Sequence, residues 1–446
     1  MVRALLVAGV LALPALAQAG EVWASAEGDR ALEVRAFYKS NASALRLPSG
    51  LVEVTEALNE LGPGGAHLPT YGVTSAHAIR LSSRLFWGSH LDLQAAWELG
   101  ASAASHPALA VGYVLGGIPL DSLEGARRRL VDFDPVLLNE DGVLVVHNLD
   151  LFALRFRSNR GDLTVGRQVF SWGSGQLWNP TDLLSPFAPT DIDREVRRGV
   201  DAVRASIPLA LTSQLDVLWL PQREIRDHGG VLRTRFSIGT WEVSPSAAKY
   251  VRDLVFGMDV GGDVGSLGAH VEAAWSHNLD VEDESFLRAV AGLIARPSES
   301  LLVTTEYHYN GWGETAPEDY MAVLQSPRVT RGEVFGAGRH YLGMAVAWQA
   351  TGLFGLNGIA IANLGDPSIQ LIPALEYQAQ QNVLARISGV LPIGRGPDSG
   401  GIRRLSREDA EQQTDAWIRE TSSLGLRSEY GASPLGVFVQ IALYHL

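Results

Sequence analysis

From Ile79 to Trp348 the chain keeps returning to a period of two between apolar and polar residues. Leu91, Leu93, Ala95, Trp97 and Leu99 share one face; Asp92, Gln94 and Glu98 share the other. Leu267, Ala269, Val271, Ala273 and Trp275 stand against His270, Glu272 and Ser276. Ile79, Leu81 and Leu85 oppose Arg80, Ser82 and Arg84, and Leu287 to Ala295 oppose Arg288 and Arg296. A period of two means strands with one apolar and one polar face. Each run is about ten residues, the length of a tilted strand crossing a bilayer. A soluble sandwich turns the apolar face inward, and a membrane barrel turns it outward to lipid. Alternation alone is the same in both.

Connection lengths separate the two. The pattern predicts strands at 30–39, 74–86, 90–99, 147–157, 161–170, 199–208, 213–221, 251–262, 265–277, 286–296, 300–309, 338–350, 353–363, 368–379, 383–393 and 428–446. Long connections (40–73, 100–146, 171–198, 222–250, 310–337, 394–427) then alternate with short ones, such as 87–89, 158–160 and 297–299. Short turns at one end and long loops at the other mark an outer-membrane barrel. Such barrels normally have an even strand number. Gly431-Ala432-Ser433-Pro434 is therefore read as a bend within one last strand. The expectation is an all-β transmembrane antiparallel barrel of about 16 strands, within 14–18. Trp87, Trp97, Trp275, Trp348, Tyr377 and Tyr444 fall near strand ends, where amphipathic rings favour the headgroup zone.

The start of the chain fits export to that membrane. Arg3 precedes an uncharged apolar run from Ala4 to Ala17, and Ala17-Gln18-Ala19 is a small-residue cleavage site. Residues 1–19 read as a signal peptide and 20–446 as one barrel domain. The run is too short to span a bilayer as a helix. The formal net charge is −13, so general nucleic-acid binding is disfavoured. With no cysteine, a disulfide framework and Cys-ligated zinc or iron–sulfur sites are excluded. No G-x-S-x-G elbow, H-E-x-x-H pair or phosphate-binding loop occurs. Neither an enzyme nor a bound cofactor or metal is expected.

The segment Gly166–Arg204 carries the densest information. It holds Gly166-Arg167-Gln168, Trp172-Gly173, Asn179-Pro180-Thr181-Asp182 and a charged stretch from Asp191 to Arg198. Gly173, Gly175 and Pro180 stop strand pairing. Over these residues the chain resembles porin-like outer-membrane barrels of Gram-negative bacteria. The resemblance implies porin-like transport and names no solute. Asp191, Asp193 and Glu195 mix with Arg194, Arg197 and Arg198, which suits a loop folded into a watery lumen. Arg80, Arg84, Arg204, Arg288, Glu272, Glu306 and Glu376 lie on polar faces and are expected to point inward, with His270 and His308. A constriction would form between loop 171–198 and these wall residues. The same charges also suit a loop that only braces the barrel, and the sequence leaves both readings open.

The function expected is diffusion of small hydrophilic solutes. A gated, substrate-specific transporter or exporter of a polymer or an apolar compound is the alternative, and a barrel enzyme acting on lipids is the remaining one. Expected partners are outer-membrane lipid and lipopolysaccharide, the barrel assembly machinery and an unidentified solute. A homotrimer is compatible with the sequence.

Overall fold

A computed structural model describes residues 20–25, 29–61, 67–106, 129–130, 136–140, 142–191, 195–414, 421 and 423–444. The expected signal peptide, and Asp193 and Arg194, lie outside the described residues.

The strands, in chain order, are β1 (Gly20–Ala24), β2 (Arg30–Arg46), β3 (Tyr71–Trp87), β4 (Leu91–Ala104), β5 (Val136–Glu140), β6 (Val143–Ser158) and β7 (Gly161–Gln168). They continue with β8 (Val200–Ala210), β9 (Ser213–Leu220), β10 (Gly229–Ile238), β11 (Trp241–Tyr250), β12 (Asp253–Val264), β13 (Leu267–Asn278) and β14 (Ser285–Ser298). The last six are β15 (Leu301–Asn310), β16 (His340–Gln349), β17 (Phe354–Asn363), β18 (Ser368–Gln380), β19 (Val383–Ile393) and β20 (Leu435–Tyr444). Among the described residues, 18 of these close into an antiparallel barrel. Closure is the β2–β20 pairing, from Phe37 opposite Tyr444 to Arg46 opposite Leu435.

The other two strands cover edges that the ring leaves bare. β20 stops at Phe37, and β1 pairs with β2 beyond it, from Val34 to Ala31. β7 pairs with β6 from Phe152 to Ser158, and β5 pairs with β6 from Val143 to Val146. An uncovered edge would expose a row of unpaired N–H and C=O groups.

The count sits at the top of the expected range, and one hairpin accounts for the difference. Residues 222–250, read from sequence as a long loop, contain β10 and β11. Pro245 lies inside β11, opposite Met258 of β12. Thr234 in β10, and Pro245 and Lys249 in β11, interrupt the apolar alternation by which the other strands are read. The long loop expected there is replaced by a tight turn at Val251, whose φ is 54°. The final strand begins at Leu435, so Gly431–Pro434 belongs to the preceding loop.

All the connections at one end are short: 88–90, 159–160, 211–212, 239–240, 265–266, 299–300, 350–353 and 381–382. At the other end the long ones carry small helices. These are α1 (Ser49–Leu61), α2 (Tyr320–Leu324), α3 (Pro327–Thr330) and α4 (Arg407–Gln412). α1 packs Val54 and Ala57 against Ile402, so the first and last long loops share a small core.

Outward residues are apolar and exposed, among them Leu81, Val165, Leu293, Leu342 and Ile441. Their neighbours in sequence, including Arg80, Thr164, Gln440 and Tyr341, are buried on the inner face. Trp87, Trp219, Trp275 and Trp348 are exposed on the outer face. This is the inside-out arrangement of a barrel bathed in lipid.

Candidate functional site: the loop inside the barrel

Residues 169–199 connect β7 to β8, and the described ones, 169–191 and 195–199, run through the barrel. The segment touches β2 at Lys39, β12 at Asp259, β13 at Glu272 and β15 at Glu306. A single segment that reaches strands on opposite sides of a closed ring lies inside it.

Two wall carboxylates hold the loop by its backbone. Glu272 accepts from the N–H groups of Ser174 (2.7 Å), Gly175 (2.6 Å) and Thr181 (3.4 Å), and from the Thr181 hydroxyl (2.8 Å). Glu306 accepts from the N–H groups of Gln176, Leu177 (3.0 Å) and Trp178 (3.1 Å), with His270 Nε2 at 3.0 Å. Both glutamates are fully buried. A buried carboxylate is tolerated when its oxygens are fully hydrogen-bonded, and consecutive N–H groups aimed at one anion meet that need.

This geometry explains the glycines. Gly173 has φ +90°, and a Cβ there would lie 2.6 Å from a Glu272 oxygen. At Gly175 a Cβ would lie 2.0 Å from the Trp178 carbonyl oxygen. Gly173 lets the loop approach the wall at Glu272, and Gly175 lets it fold closely on its own backbone. Between these contacts, Trp178 stacks on His308 with centroids 5.1 Å apart and packs with Leu177, Val290 and Tyr341. Trp172 and Phe170 join Leu218, Val231 and Ala248 of the inner wall in a second apolar cluster. These clusters line the inner wall from β8 to β17.

The second half of the loop is held by charge. Asp182 pairs with Arg197, and the Arg197 guanidinium lies 4.6 Å from the Phe187 ring centroid. Burial pushes the Asp182 carboxyl above the ordinary range, and the Arg197 charge opposes that rise. Ser185 donates to the carbonyl of Arg198 at 2.7 Å, and Asp191 accepts from the Ala188 N–H at 2.8 Å. Glu195 pairs with Lys39 and accepts from the Tyr444 hydroxyl at 3.0 Å.

The predicted wall residues form separate local pairs. Arg80 meets Asp150 at 2.5 Å and Glu98 at 3.7 Å. Arg84 and Arg157 share Asp92. Arg204 lies 2.9 Å from Asp216. Arg288 donates to the carbonyl of Glu333, in the loop 311–339. Among the described residues the loop charges and the wall charges therefore do not form one ring. Glu272 and Glu306 spend their oxygens on the loop backbone. Sequence reasoning did not single out Lys39, Asp150, Asp259 or Ser174, and Thr181 entered it only within the Asn179–Asp182 motif. The mixed charges from Asp191 to Arg198 were its signal for a loop inside the lumen, and Gly173 and Gly175 were read only as stops to strand pairing.

No protein-family model and no curated protein matches the chain. Solved structures match over nearly its whole length. A doubly substituted OccD1 (OprD) is 9% identical, with 96% of this chain and 99% of that chain covered and a TM-score of 0.52. OpdQ of Pseudomonas aeruginosa is 8% identical, with 92% and 98% covered and a TM-score of 0.51. OccAB1 of Acinetobacter baumannii is 9% identical, with 96% and 98% covered and a TM-score of 0.50. At this identity the likeness concerns the fold.

Proposed function

We propose that this protein is an outer-membrane channel of the porin type, passing small hydrophilic solutes by diffusion and sorting them at the inward loop. The observation that carries the reading is the loop 169–199, pinned inside a closed lipid-facing barrel by Glu272 and Glu306. An inward loop narrows the lumen, and charged side chains beside a narrow opening select among solutes by size and sign. Here those charges are Glu195 with Lys39 and Arg80 with Glu98 and Asp150; Asp191, Arg197 and Arg198 brace the loop itself. The likeness in fold to the OccD1 (OprD) and OpdQ structures supports the same reading. Residues 1–19 would direct export and be removed. Lipid, lipopolysaccharide and the barrel assembly machinery would be its partners.

The apolar clusters around Trp172 and Trp178 favour a narrow, selective passage over a wide general pore. Liposomes carrying the refolded protein, swollen in a size series of neutral sugars and amino acids, test this. Small polar solutes should enter and larger ones should not. Entry that is equal at all sizes, or absent for every solute, would overturn the reading.

A further inference from the structure

We propose that Glu272 is a proton-operated latch on the inward loop, so that acid loosens the segment 173–181 and widens the passage. The inference rests on the channel reading for its consequence, and on the geometry of Glu272 for its cause.

Every loop group bonded to the Glu272 carboxylate donates to it: three backbone N–H groups and the Thr181 hydroxyl. With the carboxylate ionised all four bonds are charge-assisted, which makes them about twice as strong as neutral ones. Protonation removes that assistance and turns one oxygen into an O–H donor, so the three N–H groups are held more weakly and the Thr181 hydroxyl must turn to accept. The neighbouring charges do not offset this. The loop carries no charged side chain between Gly173 and Thr181. β14 places Val290 opposite Glu272. β12 places Asp259 opposite it, a like charge, itself bonded to the Ser174 hydroxyl and 3.8 Å from Arg233. Adding a proton therefore relieves repulsion between Asp259 and Glu272 while it weakens the hold on the loop.

Glu306 differs in one respect. His270 Nε2 lies 3.0 Å from it, and the other ring nitrogen of His270 is buried without a partner among the described residues. With that added contact the Glu306 side holds Gln176–Trp178 as a hinge, while Ser174, Gly175 and Thr181 on either side let go of Glu272.

The test is single-channel conductance from about pH 7 to about pH 4, a span that covers carboxylate titration. Wild type should conduct more in acid. Glu272→Gln, which places an N–H₂ among the same donors, should show the acid level already at neutral pH and lose the pH response. Glu306→Gln should keep the response. A lock gives the complementary result. A Cβ at Gly257 would lie 3.7 Å from Thr181 Cβ, within the range of a disulfide. The chain has no cysteine of its own. Thr181→Cys with Gly257→Cys, oxidised, should not respond to acid until it is reduced.

A second readout needs no conduction. Trp172, buried beside Gly173, should become accessible to acrylamide in acid, measured as the difference between wild type and Trp172→Phe. A conductance independent of pH, an acid response in the oxidised lock, or a Trp172 equally shielded at both pH values would overturn the latch. Silence at every pH with Trp172 exposed in acid would overturn the channel reading and keep the latch.

Discussion

Lys39 on β2 and Glu195 of the inward loop form an ion pair in which the lysine is almost wholly buried and the glutamate about half exposed. Wall and loop thus share one charge pair at the side of the barrel where β2 meets β20. If solutes pass this point, removing either partner leaves the other's charge facing them. Lys39→Gln should move the reversal potential in a salt gradient toward cations, and Glu195→Gln should move it toward anions. Equal potentials in both variants and wild type would place the passage elsewhere.

The loop 311–339 has its own anchor. Arg328 is buried, bonds Asp253, Glu284 and Glu333, and lies 4.8 Å from the Phe286 ring and 4.7 Å from that of Trp312. Arg328→Leu removes the guanidinium that pairs with the buried Asp253, a loss of about 3–5 kcal/mol for a broken buried pair, while Glu333 keeps Arg331 and Glu284 keeps Asn278. The urea midpoint of the refolded barrel should fall accordingly. Arg226→Ala removes a fully exposed pair with Glu224 and should leave the midpoint unchanged.

Acid should act on the same anchor. Burial alone would push Glu333 up, but Arg331, Arg288 and Arg328 outweigh it and hold its carboxyl below the ordinary range. A depressed value in the folded state means stability that is full above about pH 4.3, the unfolded glutamate value, and lost as the pH falls through the folded value. Protease cleavage within 311–339 should rise in that window. Glu333→Gln should be cleaved more readily at neutral pH and show less change with acid.

The outer face can be probed by one residue. Leu293 of β14 is half exposed toward lipid. Leu293→Arg should cost about 2–4 kcal/mol if it lies near the midplane. Ala347 of β16 is exposed on the inner face, and Ala347→Arg should refold into vesicles like wild type. Equal costs would mean that the faces are assigned the wrong way round.

The barrel was legible in the sequence because lipid imposes its pattern residue by residue, as in Leu91–Leu99 and Leu267–Trp275. The hairpin β10–β11 was hidden because Thr234, Pro245 and Lys249 interrupt the apolar alternation that marks the other strands. The interior was less legible for a different reason. Alternation turned Glu272 and Glu306 inward, and both are buried, but their partners are mainly backbone N–H groups, which every non-proline residue carries and no side chain announces. Arg80 was placed inward, but Asp150, its partner 70 residues away in sequence, became visible only once β3, β4 and β6 were aligned.

The most direct test of the account is the conductance of the mature chain refolded into a planar bilayer, with folding checked by heat-modifiable migration. The account predicts discrete stepwise openings, with a reversal potential that shifts in Lys39→Gln and Glu195→Gln. A demonstrably folded barrel that never conducts would contradict it.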